Sequence, residues 1–191
     1  MQSAYMEHNS EQVLEAGSTV ANELSTDFQP RWYAAYTRAH HELRVAERLA
    51  DRAVQNYLPQ HEVIRKWKDR KVSLQRPLFS GYIFVHLALQ NRLQVLQVPG
   101  VAWLVSFAGK PVAVPDEDIE RIRTILSRGY RVEPHRYLKA GKRVRVSSGP
   151  FEGLEGIVVR RNNGSRLVIS MEVIHRAMAV EVEDYNLEEL Q

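Results

Sequence analysis

The 191-residue sequence predicts an α+β protein: an antiparallel sheet flanked by helices, then a small β-barrel. Two observations predict it. Over residues 31–129, strand-like and helix-like patterns follow in the order β-α-β-β-α-β-β-α, the arrangement of a layered domain around one core. Over residues 139–191 the chain gives several short strands at close spacing, parted by glycine-rich turns, which points to a barrel. Residues 130–138 between them read as a linker, with Pro134 preventing the preceding helix from continuing.

Taken in order, residues 1–30 are polar and acidic without sustained periodicity and are expected to form a disordered acidic leader. Residues 31–36 are an aromatic strand. Residues 41–53 follow as a helix, with Leu43, Ala46, Leu49, Ala50 and Ala53 on one face and Arg44, Glu47, Arg48 and Asp51 on the other. Residues 54–64 are extended and lead into a charged run, 65–76. Residues 78–87 form a strongly apolar strand interrupted by Gly81, and 92–98 a short helix ended by Pro99-Gly100. Two short strands, 103–107 and 111–114, flank the turn Ala108-Gly109-Lys110. Pro115 opens a last helix, whose first-turn Asp116, Glu117 and Asp118 suit the positive end of the helix dipole. Ile119, Ile122, Ile125 and Leu126 form its buried stripe, and Gly129 stops it.

In the C-terminal block Val144 and Val146 alternate with Arg143 and Arg145, the period of a half-buried strand. Gly149, Pro150, Gly153 and Gly156 force tight turns before the strand 157–159. Asn163-Gly164, a favoured hairpin dipeptide, precedes the strand 167–169, and 178–182 adds a fourth.

Composition narrows the function. No apolar run approaches bilayer length and no signal-peptide pattern is present, so a cytoplasmic location is expected. Zero cysteines exclude disulfides and cysteine-based zinc sites. The charge is unevenly spread. Residues 1–30 carry −5, residues 31–138 carry 18 basic against 10 acidic residues for +8, and residues 139–191 are balanced. Nucleic-acid contacts belong in the middle segment. No nucleophile elbow, phosphate-binding loop, dinucleotide fingerprint or His-Glu-x-x-His motif occurs, so no enzyme, cofactor or metal site is expected; the adjacent His40 and His41 lack aligned partner ligands.

The glycine-rich turn around Phe151 and its flanking strands resemble a KOW module, the SH3-like barrel of transcription elongation factors and some ribosomal proteins. Arg31-Trp32-Tyr33, the run Leu78-Phe79-Ser80-Gly81-Tyr82-Ile83-Phe84-Val85, Val98-Pro99-Gly100-Val101 and the helix after Pro115 are similar to the N-terminal domain of NusG-type factors. The two motif sets, in the right order, cover residues 31–190. The resemblance implies a transcription elongation and antitermination factor that binds the clamp helices of RNA polymerase through Trp32, Tyr33, Phe79, Tyr82 and Phe84. It implies contact with non-template DNA or nascent RNA through the turn bearing Arg38, His41 and Arg44, and through Lys66, Lys68, Arg70 and Lys71 in the charged run, where Trp67 could stack on a base. Phe151, Val173, Ile174 and Arg176 correspond to the KOW face that docks termination factor Rho or a small-subunit ribosomal protein. Ser80, where many relatives carry proline, Ile174-His175 in place of the usual Phe-Gly, and the long leader point to a specialised paralogue. Such a paralogue acts as a monomer on particular operons, such as those for surface polysaccharides. The rival is a KOW-containing RNA-binding or ribosome-associated protein, which the neutral charge of the barrel segment disfavours.

Overall fold

The computed structural model describes residues 28–67, 70–138, 141–149, 151–161, 164–182 and 186–190. Most of the expected leader, and Lys68, Pro150 and Asn163 among the residues singled out above, lie outside the described residues.

The N-terminal sheet is built around β1 (Arg31–Thr37), which pairs antiparallel with β5 (Tyr82–Leu87) on one side and β6 (Val101–Leu104) on the other. β2 (Gln55–Tyr57) extends it beyond β5, and β9 (Ala113–Val114) pairs with the start of β1. β1 is buried on both faces, which explains why it reads as an apolar aromatic run instead of an alternating one. One face carries Tyr33, Ala35, Ile83 and Val85 against Val45 and Leu49 of α1 (Glu42–Asp51) and Val95 of α2 (Arg92–Leu96). The other carries Trp32, Ala34 and Phe84 against Ile119, Ile122 and Ile125 of α3 (Asp116–Ser127).

The stripe of α3 is the expected one. That of α1 is not: Leu43 is 48% exposed, while Glu42, Val45 and Leu49 are buried. Glu42 displaces the apolar stripe because its carboxylate accepts a hydrogen bond from the Gly81 amide at 2.7 Å. That bond joins α1 to the turn before β5. Glu42→Ala leaves a buried amide unpaired and should cost about 1–3 kcal/mol, whereas Glu42→Gln, which keeps an acceptor, should cost less. Urea unfolding of the two variants checks this, and equal losses would deny the bond its role.

The expected strand 78–87 is shorter at its start. Leu78 and Phe79 precede a turn at Ser80-Gly81, and regular pairing begins at Tyr82. Gly81 has φ 82°, and a Cβ there would lie 3.1 Å from the Tyr36 ring, so only glycine sits there without strain. Because the chain turns, Phe79 does not fall on the face opposite Phe84, as alternation through one strand requires. The two rings meet edge to face at 6.2 Å.

The charged run is a two-stranded ribbon, β3 (Gln60–Trp67) and β4 (Arg70–Pro77), in register from Gln60↔Pro77 to Trp67↔Arg70. β7 (Ser106–Phe107) and β8 (Lys110–Pro111) make the small hairpin expected around Ala108 and Gly109, both at positive φ.

The C-terminal unit is one six-stranded antiparallel sheet. Its members are β10 (Val132–Arg136), β11 (Arg143–Val146), β12 (Glu155–Arg161), β13 (Gly164–Met171), β14 (Arg176–Val182) and β15 (Leu187–Glu189), in the order β10-β14-β13-β12-β11-β15. Val144 and Val146 are buried and Arg143 and Arg145 exposed, as their alternation predicts. The β12–β13 ladder closes at Arg161↔Gly164, so Gly164 belongs to the strand and not to the turn. β10 lies within the segment expected as a linker: it pairs with β14 from Val132↔Val180 to Arg136↔Arg176. Pro134 is tolerated because β10 is an edge strand, where a missing N–H can face outward.

Candidate functional site

The aromatic residues of β1 and β5 divide between two environments. Trp32, Phe79 and Phe84 are buried in one cluster, with the half-buried Tyr82 packed against it; Tyr33 lies on the opposite face, under α1. The sheet therefore brings together four of the five residues expected to form one apolar surface and separates the fifth, since Tyr33 is one residue from Trp32 and neighbours on a strand point apart. Arg123 of α3 sits between two of the rings, 5.1 Å from the centre of Trp32 and 4.9 Å from that of Tyr57. Burial pushes the Tyr57 hydroxyl up to about 12, with the Arg123 charge opposing.

That aromatic cluster does not stop at the N-terminal domain. It continues without a break into Val144, Val146, Phe151, Leu167, Ile169, Met171, Ile174, Met178 and Val180 of the C-terminal sheet. Specific contacts mark the junction. The Arg176 guanidinium lies over the Tyr82 ring at 5.8 Å, and Tyr130, just after α3, packs its ring 4.3 Å from Phe151. Of the residues expected to present a partner-binding face, Phe151 and Ile174 are buried, Val173 is half-buried, and Arg176 is exposed while covering Tyr82. Residues of two surfaces expected to be free thus share one cluster and meet where Arg176 caps Tyr82.

The rim of this junction is charged. A cleft of about 760 Å³ is lined by Asp118 and Arg121 of α3 and by Arg143, Glu155 and Glu172 of the C-terminal unit. Asp118 pairs with Arg121 at 3.0 Å, but burial raises its carboxyl above the ordinary range, with the charges of Glu117 and Glu172 adding to the rise. Hydrogen bonds from Arg145 hold the Glu155 carboxyl below its usual range.

The basic residues occupy two other places. Arg65, Lys66, Arg70, Lys71 and Arg76 are exposed on the β3–β4 ribbon, which stands as a separate two-stranded sheet. Arg38 and Arg44 are exposed, and His41 half-buried, at the turn from β1 into α1. That turn is pinned by the Arg38 amide donating to Gly100 O at 2.8 Å and by the Arg48 guanidinium donating to Pro99 O at 2.6 Å. Beside it, Tyr36 stacks on Trp103 with ring centres 4.5 Å apart and planes 19° apart, and meets Tyr82 edge-on at 5.2 Å. Tyr36, Trp103, Arg123 and Tyr130 were not among the site residues expected from sequence. Tyr36 was legible, since it stands two and four residues from Ala34 and Trp32 on one strand face; the others depend on packing between distant elements. No group of three or more potential metal ligands occurs among the described residues.

Residues 30–123 match the family model described as transcription termination factor nusG. Over 160 residues the chain is 30% identical to the transcription termination/antitermination protein NusG of Deinococcus radiodurans, spanning 69% of this chain and 83% of that protein. It is 25% identical to the protein of the same name from Pseudomonas aeruginosa, over 84% of this chain and 98% of that one. Among solved structures, one titled "Domain interaction in Thermotoga maritima NusG" aligns over 86% of this chain and 99% of that chain, with a TM-score of 0.52 and 22% identity, a likeness of fold.

Proposed function

The chain belongs to the NusG family of transcription termination and antitermination proteins, and from that premise we propose that it binds RNA polymerase during elongation and suppresses pausing or termination. Trp32, Phe79, Tyr82 and Phe84 supply the polymerase contact, and the C-terminal unit recruits a partner through Phe151, Val173, Ile174 and Arg176. The observation that supports this reading best is the aromatic face of β1 and β5, which is large and rigid and bordered by basic residues. Rigid aromatics in a groove suit the capture of an amphipathic helix at small entropic cost, and the clamp of the polymerase presents such helices.

In the arrangement described, α3 covers Trp32 and Phe84 on that face, and the C-terminal unit joins the same cluster and caps Tyr82 through Arg176. Engagement then proceeds by displacement: polymerase binds the form in which the two units have parted, and it shifts the population only by its preference for that form. Once apart, the N-terminal domain holds the clamp in its elongating position, while the C-terminal unit, its own face freed, reaches a second protein. The β3–β4 ribbon touches the nucleic acid of the elongation complex through Lys66, Lys68, Arg70 and Lys71. The departures at Ser80 and Ile174-His175 favour a specialised role on particular operons over a general one.

The ribbon provides the test. Neutralising Lys66, Arg70 and Lys71 should weaken retention on a purified elongation complex, and the loss should shrink between about 50 and about 200 mM salt, because counterion release drives phosphate contacts. Retention unchanged at low salt would remove the ribbon from the interface. An intact chain with no affinity for polymerase at any salt concentration would overturn the whole reading.

A further inference from the structure

We propose that the acidic leader, residues 1–27, docks on the β3–β4 ribbon of its own chain through Glu11, Val13, Leu14 and Glu15, and there withholds the ribbon from nucleic acid. The withholding rests on the reading of the ribbon as a phosphate contact; the docking does not.

One face of the ribbon is open to water. Residues opposite each other on antiparallel strands point the same way, so the register puts Glu62 with Gln75, Ile64 with Ser73 and Lys66 with Lys71 on one face. All six are exposed, whereas His61, Val63 and Val72 of the other face are half-buried. Two features of the open face are unfavourable without a partner. Lys66 and Lys71 stand directly opposite, an arrangement of like charges that weakens a ladder. Among the described residues neither is in an ion pair, and the acid of that face, Glu62, accepts the Ser73 hydroxyl. Ile64 is 66% exposed beside them, and it lines a cleft of about 750 Å³ together with Leu126, Tyr130 and Val132. Phosphates would satisfy the lysines but have no use for an exposed isoleucine and a partly apolar cleft. A polypeptide that sets carboxylates about an apolar pair satisfies both.

The chain carries that complement itself. Residues 1–27 hold Glu7, Glu11, Glu15, Glu23 and Asp27 with no lysine or arginine. Within them Glu11-Gln12-Val13-Leu14-Glu15 sets two carboxylates about a Val-Leu pair, which answers the lysine pair and Ile64 with its cleft. The reach suffices. Ala34 of β1 lies beside Phe84, and Phe84 beside Tyr57, after which the chain leaves the sheet for the ribbon. That point is two strands over and three residues along from Arg31, about 15 Å away. Lys66 stands six residues up the ribbon from Gln60, about 20 Å further. The thirteen residues from Glu15 to Phe28 span up to about 45 Å.

The experiment is carbodiimide coupling of the intact chain, which joins a carboxylate to an amine where the two touch, followed by peptide mass mapping of the monomer band. Coupling of Glu11 or Glu15 to Lys66 or Lys71 is expected. Val13→Ser combined with Leu14→Ser, which keeps every charge, should lose most of that product. The same variant should bind a labelled single strand of about 12 nucleotides more tightly than the parent. The gain should be about 2- to 10-fold at about 50 mM salt, since a leader docked about 50% to about 90% of the time lowers apparent affinity by those factors. It should shrink at about 200 mM as the lysine–carboxylate contacts are screened. The docking falls if the leader couples to neither lysine, if coupling occurs only in a dimer band, or if the serine pair leaves the yield unchanged. Coupling as expected with strand binding unmoved by the serine pair overturns the withholding. A strand affinity unmoved by Lys66→Gln combined with Lys71→Gln overturns the ribbon as a nucleic-acid contact, and with it the withholding, while the coupling result still decides the docking.

Discussion

Phe79→Ala should cost the folded chain about 3–5 kcal/mol, the range for truncating a buried phenylalanine. Phe79 is 2% exposed and lies in the cluster joining Phe84, α3 and the C-terminal sheet. Against a total stability of about 5–15 kcal/mol, such a loss moves the unfolding midpoint far enough for either heat or urea to report it. Read from sequence, Phe79 was expected to be part of the polymerase contact. The burial reverses the order of effects: stability falls first, and any loss of binding must be measured at a temperature where the variant is still folded. Tyr82→Ala is the contrasting case. Tyr82 is only half-buried and touches Arg176 and Tyr36 through its ring, so it should spare more stability and serve as the cleaner probe of the interface. If Phe79→Ala unfolds at the parent midpoint, the cluster is looser than its burial indicates.

A chain ending at Gly129 should bind polymerase at least about tenfold more tightly than the intact protein. When the competent form is a minor species, apparent affinity falls by its fraction, so a closed population of about 90% costs a factor of ten. Truncation takes Arg176 off Tyr82 and removes the C-terminal residues from the shared cluster while leaving α3 in place, and residues 130–191 added back as a separate fragment should restore part of the suppression. The cut belongs at Gly129 and not at residue 138, because β10 supplies an edge strand to the C-terminal sheet and Val132 is buried in it. Equal affinity of the intact and shortened chains in a titration would mean that the cover is too weak to compete with polymerase.

How far the sequence could be read depended on whether the relevant interactions were local. The helix after Pro115 was legible to within a residue because its acidic first turn, isoleucine stripe and terminal glycine all lie within one segment. The alternation of Arg143–Val146 was legible for the same reason, whereas the run 65–76 was read only as charged, its pairing into the β3–β4 ribbon going unforeseen. Val132–Arg136 was not, since a strand containing Pro134 and three charged or imidazole side chains carries no pattern of its own and takes its conformation from β14. Glu42 was given no place on either face of α1, and its burial depends on one amide thirty-nine residues away. The site showed the same limit. Trp32, Phe79, Tyr82 and Phe84 were identified by their motif, but the motif says nothing of the surface that covers them. That surface comes partly from α3 and partly from the far end of the chain, and only the folded arrangement brings Phe151 and Ile174 into their cluster.

The mutual cover has a thermodynamic corollary. Two faces that conceal each other are exposed by the same event, so whatever seizes one makes the other available. On the proposed function the coupling is reciprocal: the factor by which polymerase would raise the affinity of the C-terminal face for a partner must equal the factor by which that partner would raise the affinity for polymerase. Neither ligand is the effector of the other in any privileged sense. If both ligands bind as proposed, a protein held together across its aromatic cluster would act as a coincidence detector, whose output depends on the two concentrations together more than on either alone.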